Sequence, residues 1–218
     1  HKRGAENVET ILKECKKLHV STVTLYAFST ENWNRPIYEV KALMNLFKYY
    51  LNKKLIRLHE ENVRVTIIGD ILPFSKIIKK YIKNIEDLTE SNSGMQLNLA
   101  MNYGGRDEIV RATKKISNQV LEGRLEIDKI DEMLFASYLD TSAQSYPDLI
   151  IRTSGEMRLS NFLLWQSAYS ELYFSEKGWP DFTENDLRKA IEFYDNRSRK
   201  FGEILDNISN DKKPNTNK

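Results

Sequence analysis

A single cysteine among 218 residues excludes a disulfide framework and a cysteine-ligated metal cluster. Cys15 falls at an apolar helical spacing, so it is expected to pack in the core of a protein kept in a reducing compartment. Histidine is equally scarce. His1, His19 and His59 show no metal-ligand spacing, and no zinc site is expected. No apolar run approaches the ~20 residues that a membrane-spanning helix needs, which leaves only peripheral membrane contact. An excess of charge is missing too. With 33 basic and 31 acidic residues the net charge is +2, too little for a dedicated nucleic-acid surface. The segment 206–218, "DNISNDKKPNTNK", lacks apolar periodicity and contains Pro214; it is expected to be a polar flexible tail. Residues 1–205 show neither an internal repeat nor a linker and read as a single domain.

What is present is alternation. Val8, Ile11, Leu12, Cys15 and Leu18 share one helical face over residues 5–19, and "STVTLYAF" then supplies a strand-length run of β-branched and aromatic residues. From Glu39 to Asn62 the residues Val40, Leu43, Met44, Phe47, Tyr50 and Leu51 continue one stripe, predicting a helix of about 35 Å. Strands are expected at "VRVTIIGD", "MQLNLAMNY" and "PDLIIRT". Helices are expected over 74–89, 106–121, 131–139 and 184–201. Such alternation requires crossover connections, so the fold class is α/β with a mainly parallel central sheet flanked by helices. Ligands in open parallel sheets bind beyond the carboxyl ends of the strands. The loops there are "FSTENWNRP", "NYGGRDE" and "RTSGEMRLS".

These loops carry the chemistry. Arg152 and Arg158 offer rigid donor forks for phosphate oxygens and Ser160 adds a hydroxyl, a set suited to a diphosphate. An arginine pair tied to Glu156 and surface carboxylates has the same spacing. Glu171, among apolar and aromatic residues, needs a partner: a magnesium ion shared with substrate phosphates, or a rim arginine. Ser29, Asn32, Trp33 and Arg35 form a mobile lid or a helix-capping loop. Gly104 and Gly105 read as a structural turn, with Asn102 and Arg106 as weaker site candidates.

Taken in order, "YAFSTENWNRP" with the long apolar helix behind it, "NYGGR" and "RTSGEMRLSNFLLWQSAYSELYF" resemble the cis-prenyltransferases of the bacterial undecaprenyl diphosphate synthase type, over His1 to about Gly202. The resemblance implies a magnesium-dependent homodimer that condenses isopentenyl diphosphate repeatedly onto farnesyl diphosphate. The product would be a lipid-carrier precursor for cell-wall synthesis, made in the cytoplasm with peripheral contact at the inner membrane face. It implies that Arg152, Arg158 and Ser160 hold isopentenyl diphosphate, with Glu156 in support. Ser29, Asn32, Trp33 and Arg35 would form the catalytic lid loop, Glu39 the acid at the helix start, and His1 a contact to the allylic diphosphate. Glu171 would be the magnesium-associated glutamate. An apolar tunnel would take the product along the long helix and Leu97 and Leu99, with Met95 near its floor. Three departures stand out. Family members carry an Asp-Gly-Asn-Gly-Arg strand before the position of His1, so a fragment lacking its first strand is expected; Met157 replaces a frequent histidine; and Lys200 replaces a frequent arginine, keeping the charge without the fork. The alternatives are a noncatalytic partner subunit of the same fold and an unrelated α/β phosphate-binding protein.

Overall fold

Helix α1, Lys2–Lys17, forms because its apolar residues recur on one face, and that face buries Ile11, Leu12 and Cys15. Lys16 and Lys17 in its last turn complement the helix dipole. The computed structural model describes residues 2–53, 55–142 and 144–197; His1, Lys200 and the segment 206–218 lie outside them. Buried Glu14 anchors α1, accepting from Lys17 at 3.0 Å and from Arg188 at 2.7 Å. Trp179 donates its indole N–H to the Gly4 carbonyl at 2.7 Å, which fastens the start of the same helix to the far end of the chain.

Strands β1 (Thr22–Ser29), β2 (Arg64–Ile68) and β3 (Gln96–Tyr103) make a parallel sheet in the order β1-β3-β2, with Leu25 and Ile67 both facing Leu99 in register. The central strand β3 is mostly buried: Leu97 and Met101 pack into the helix-lined core, and Ala100 and Tyr103 pack against Phe162 and Leu163. Strands β4 (Leu149–Arg152) and β5 (Glu171–Phe174) form a second parallel pair that matches Leu149 with Glu171 and Arg152 with Phe174. The single expected sheet is therefore two parallel sheets among the described residues. β1 and β4 do not pair with each other, and both line one cavity.

Strand β5 has no counterpart in the sequence reading. Its four residues are too few to establish an alternation, and they follow a run of turns. The span expected as one helix over 39–62 is described as α2 (Ile37–Lys53) and α3 (Leu55–Glu60), on either side of residue 54. The remaining helices are α4 (Lys76–Thr89), α5 (Gly105–Leu121), α6 (Glu132–Ser137) and α7 (Glu184–Asp195). Each cap has its cause: Ser75 accepts from the Ile78 amide, Asp131 from Leu134, and Thr183 from Asp186. The main core joins α1 to α2, α4 and the sheet through Ile11, Leu51, Val65, Ile78, Leu97 and Met101.

Candidate functional site

Two short segments close the carboxyl end of the three-stranded sheet. The first is a 3-10 turn, Thr30–Asn34, immediately after β1. Asn32 accepts the Ser29 amide at 2.9 Å, and the ring of Trp33 lies against Phe28 and Phe74, with centroids 5.0 and 5.8 Å away. The Trp33 indole donates to Asn102 Oδ1 at 2.8 Å, and Asn102 Nδ2 donates to the Asp70 carbonyl at 2.7 Å. Arg35 closes on Glu39 at 2.6 Å across one helical turn. Ser29 and Asn32 cap the 3-10 turn itself, and Ser29, Asn32, Trp33, Arg35 and Glu39 lie in one continuous run from turn to helix.

The second segment follows β4. Ser154, Gly155, Ser160, Asn161 and Leu163 all have positive φ, so the chain coils tightly between Arg152 and the apolar run that follows. Its start is tied down by Ser154 and Gly155 amides donating to Lys177 and Ser175 carbonyls at 2.7 and 2.9 Å. Its end packs under the sheet, where Phe162 stacks on Tyr26 at 4.6 Å and Leu163 is buried. Burial pushes the Tyr26 phenol up to about 12, opposed by a hydrogen bond with Ser29 and the charge of Arg152, so it stays neutral near pH 7. Behind the loop, buried Glu108 accepts from Tyr103 at 2.6 Å, from the Asp140 amide at 2.9 Å and from Gln166. That network holds α5, the 139–141 turn and the 163–167 segment in one frame.

The cavity between β1 and β4 has a volume of about 1160 Å³. Arg35, Arg152 and Arg158 all line it, together with the α2 residues Leu43, Phe47 and Tyr50. Arg152 Nε is buried and has no hydrogen-bond partner, which is costly for a guanidinium unless an anion completes it. Arg158 pairs with Glu156 at the surface, the alternative partner weighed from sequence. Leu97 and Leu99 also line the cavity, whereas Met95 is buried in the core and does not. Ser29, Asn32, Trp33, Glu39, Ser160 and Glu171 do not line it either. His1 and Lys200 lie outside the described residues.

Glu171 stands apart from the arginines. It opens β5, whereas Arg152 closes β4 three register steps further on, a displacement of about 10 Å along the strands. Its carboxylate accepts from Arg197 Nε at 3.2 Å. Among the described residues no group of three or more His, Cys, Asp or Glu side chains is placed to hold a metal.

Asn161 was not singled out from sequence, yet it joins both segments, and only its place beside Ser160 could have pointed to it. Asn102, a weak candidate, proves to be the partner of Trp33. The glycine pair has a cause beyond turning: a Cβ on Gly104 would stand 2.7 Å from both Thr30 Oγ1 and Asn161 Nδ2. The two loops close over that residue.

The chain matches the Prenyltransf family model, described as undecaprenyl diphosphate synthase, over residues 1–202. An isoprenyl transferase of Clostridium perfringens is 52% identical over 204 residues, covering 94% of this chain and 81% of that protein. A farnesyl-diphosphate-specific ditrans,polycis-undecaprenyl-diphosphate synthase of Legionella pneumophila is 45% identical, covering 94% of this chain and 86% of its own length. Among solved structures, lavandulyl diphosphate synthase from Lavandula x intermedia, in complex with dimethylallyl diphosphate, superposes with a TM-score of 0.90 at 38% identity, over 93% of this chain and 88% of that one. A probable undecaprenyl diphosphate synthase from Campylobacter jejuni gives 0.82 at 35% identity, over 93% of each chain.

Proposed function

The chain belongs to the undecaprenyl diphosphate synthase family and is a prenyl-transferring enzyme; from that premise we propose that it condenses isopentenyl diphosphate repeatedly onto farnesyl diphosphate to build undecaprenyl diphosphate. The observation that carries this reading is Arg152. This half-buried arginine, whose Nε is buried and unpartnered, shares one cavity with Arg158, Arg35 and an apolar helix wall. Anion donors beside an oily surface suit a prenyl diphosphate, which has one end of each kind.

In this reading Arg152 and Arg158 grip the diphosphate of isopentenyl diphosphate and fix its double bond near the allylic carbon. Arg158 reaches that state by exchanging Glu156 for phosphate, a trade between two anions that costs little desolvation at the surface. Ser160 does not line the cavity, but it stands two residues after Arg158 on the same coil and is the hydroxyl that the resemblance assigns to the same diphosphate. The allylic carbon–oxygen bond breaks as diphosphate departs, the isopentenyl double bond attacks, and a proton is lost from the new chain. Arg35 is the described cation nearest in sequence to the turn that bears Asn32 and Trp33, and it meets the departing charge once released from Glu39.

Magnesium, implied by the resemblance, needs only one or two protein carboxylates beside substrate phosphates and water. Glu171 would be one such ligand, and the ion would neutralise charge on the departing diphosphate; in this structure Glu171 is paired with Arg197 and lies about 10 Å along the strands from the arginine end of its strand pair. The reading includes a homodimer, a cytoplasmic location and peripheral contact with the inner membrane face. Exposed Met133, Tyr146, Tyr169 and Leu172 support an apolar association surface, and no helix among the described residues is long and apolar enough to cross a membrane.

The test is incorporation of labelled isopentenyl diphosphate into solvent-extractable polyprenyl diphosphate with farnesyl diphosphate as primer. Arg152→Ala and Arg158→Ala are each expected to raise KM for isopentenyl diphosphate at least about tenfold, the worth of one charge-assisted hydrogen bond, with KM for farnesyl diphosphate within about twofold. Equal losses for both substrates would overturn the assignment.

A further inference from the structure

The turn after β1 and the coil after β4 are linked by one side chain. Asn161 Nδ2 donates to Glu31 Oε1 at 2.9 Å, its Oδ1 accepts the Arg106 amide at 2.9 Å, and its carbonyl accepts the Gly105 amide at 2.7 Å. Three loops at three strand ends therefore converge on a single residue. Its backbone is left-handed, with φ 64°, and so is that of Ser160 before it, with φ 50°. Asparagine suits such a place because it tolerates that conformation and carries a donor and an acceptor on one short group.

The electrostatics at Glu31 agree with this. Burial pushes its carboxyl up, but hydrogen bonds from Asn161, its own backbone, Ser29 and Thr30 outweigh that and leave it below its ordinary value. The contact therefore favours the charged carboxylate. The other side of the same turn is fixed independently, through Trp33 on Asn102. Releasing Glu31 would free one edge of the turn while the other stays attached to β3.

We propose that Asn161 is a positioning residue that couples the Thr30–Asn34 turn to the coil bearing Arg158 and Ser160, so that diphosphate binding in the coil sets the placement of Asn32 and Trp33. It acts by fixing the left-handed pair 160–161 and by holding Glu31 against the coil. The proposal rests on the reading that this coil holds isopentenyl diphosphate.

Inverting the hydrogen bond tests it. Asn161→Asp keeps an acceptor for the Arg106 amide but sets a carboxylate against Glu31. Adding Glu31→Gln restores the pair with donor and acceptor exchanged. The single variant should raise KM for isopentenyl diphosphate about tenfold while KM for farnesyl diphosphate stays within about twofold, and the double variant should return to within about threefold of the parent. In parallel, amide hydrogen exchange over residues 29–35 should quicken in Asn161→Asp and slow again in the double variant, with the core strands unchanged. Glu31→Ala, which leaves the backbone at 160–161 untouched, should reproduce the loss if Asn161→Asp fails to fold. Additive losses in the double variant, or unchanged exchange over 29–35 in the singles, would overturn the coupling. If the parent protein incorporates no isopentenyl diphosphate, the functional reading falls, and the exchange measurement still decides whether the two segments are coupled.

Discussion

Asn102 shows how a single residue sustains the site. It is buried at 4% exposure with φ 50°, and its amide bridges the Trp33 indole to the loop after β2. Gly69, in that loop, has φ 113°, and a Cβ there would lie 2.2 Å from the Met101 carbonyl oxygen. Gly69→Ala is expected to cost about 3 kcal/mol or more, because left-handed strain adds to a clash with backbone that cannot swing aside; the urea midpoint measures it. Cys15 is inert by contrast. Burial pushes its thiol up to about 11, so alkylation at pH 8 should be negligible until the protein unfolds. Residue types marked the arginines and the polar turn after β1 in the sequence as places to look, since guanidinium pairs and an isolated Trp in a polar loop have few uses. Asn161 and the 10 Å offset of Glu171 were invisible there. Which atoms an amide bonds and which end of a strand a carboxylate occupies depend on register, and register is a property of pairing.

At the scale of elements, the helices and the strand of "PDLIIRT" were legible, and β5 was not. The apolar stripes of α1, α2 and α4 extend over three turns or more and each repeats its message, whereas β5 has four residues and owes its existence to pairing with β4. Helix α7 is fixed at its start by Asp186, which accepts from the Thr183 amide at 2.8 Å and from Lys177 Nζ at 2.7 Å. Lys177, followed by the Thr183 hydroxyl and amide, holds the Asp186 carboxyl far below its ordinary 3.8. A depressed folded value means that this stabilisation is complete above the unfolded value and is lost as pH falls through the folded one. Asp186→Asn should therefore lower stability by about 1–2 kcal/mol at pH 7, as expected for a weakened cap, and the gap should narrow as pH falls below 3.8; thermal melts at pH 7 and pH 3 test this.

Across the whole molecule, the alternation of strands and helices announced the class and the parallel order, but the division into two sheets emerges only in three dimensions. The cavity has an energetic consequence for turnover. Each five-carbon unit settled on its apolar wall gains roughly 3–4 kcal/mol before entropy is counted, so product should leave more slowly than it forms. Detergent or lipid is expected to raise the steady rate and shrink an initial burst; a steady rate indifferent to both would show that release is not limiting. Leu43, Phe47 and Tyr50 recur at helical spacing on α2, so one face of a single rod offers the lengthening hydrocarbon a continuous greasy rail.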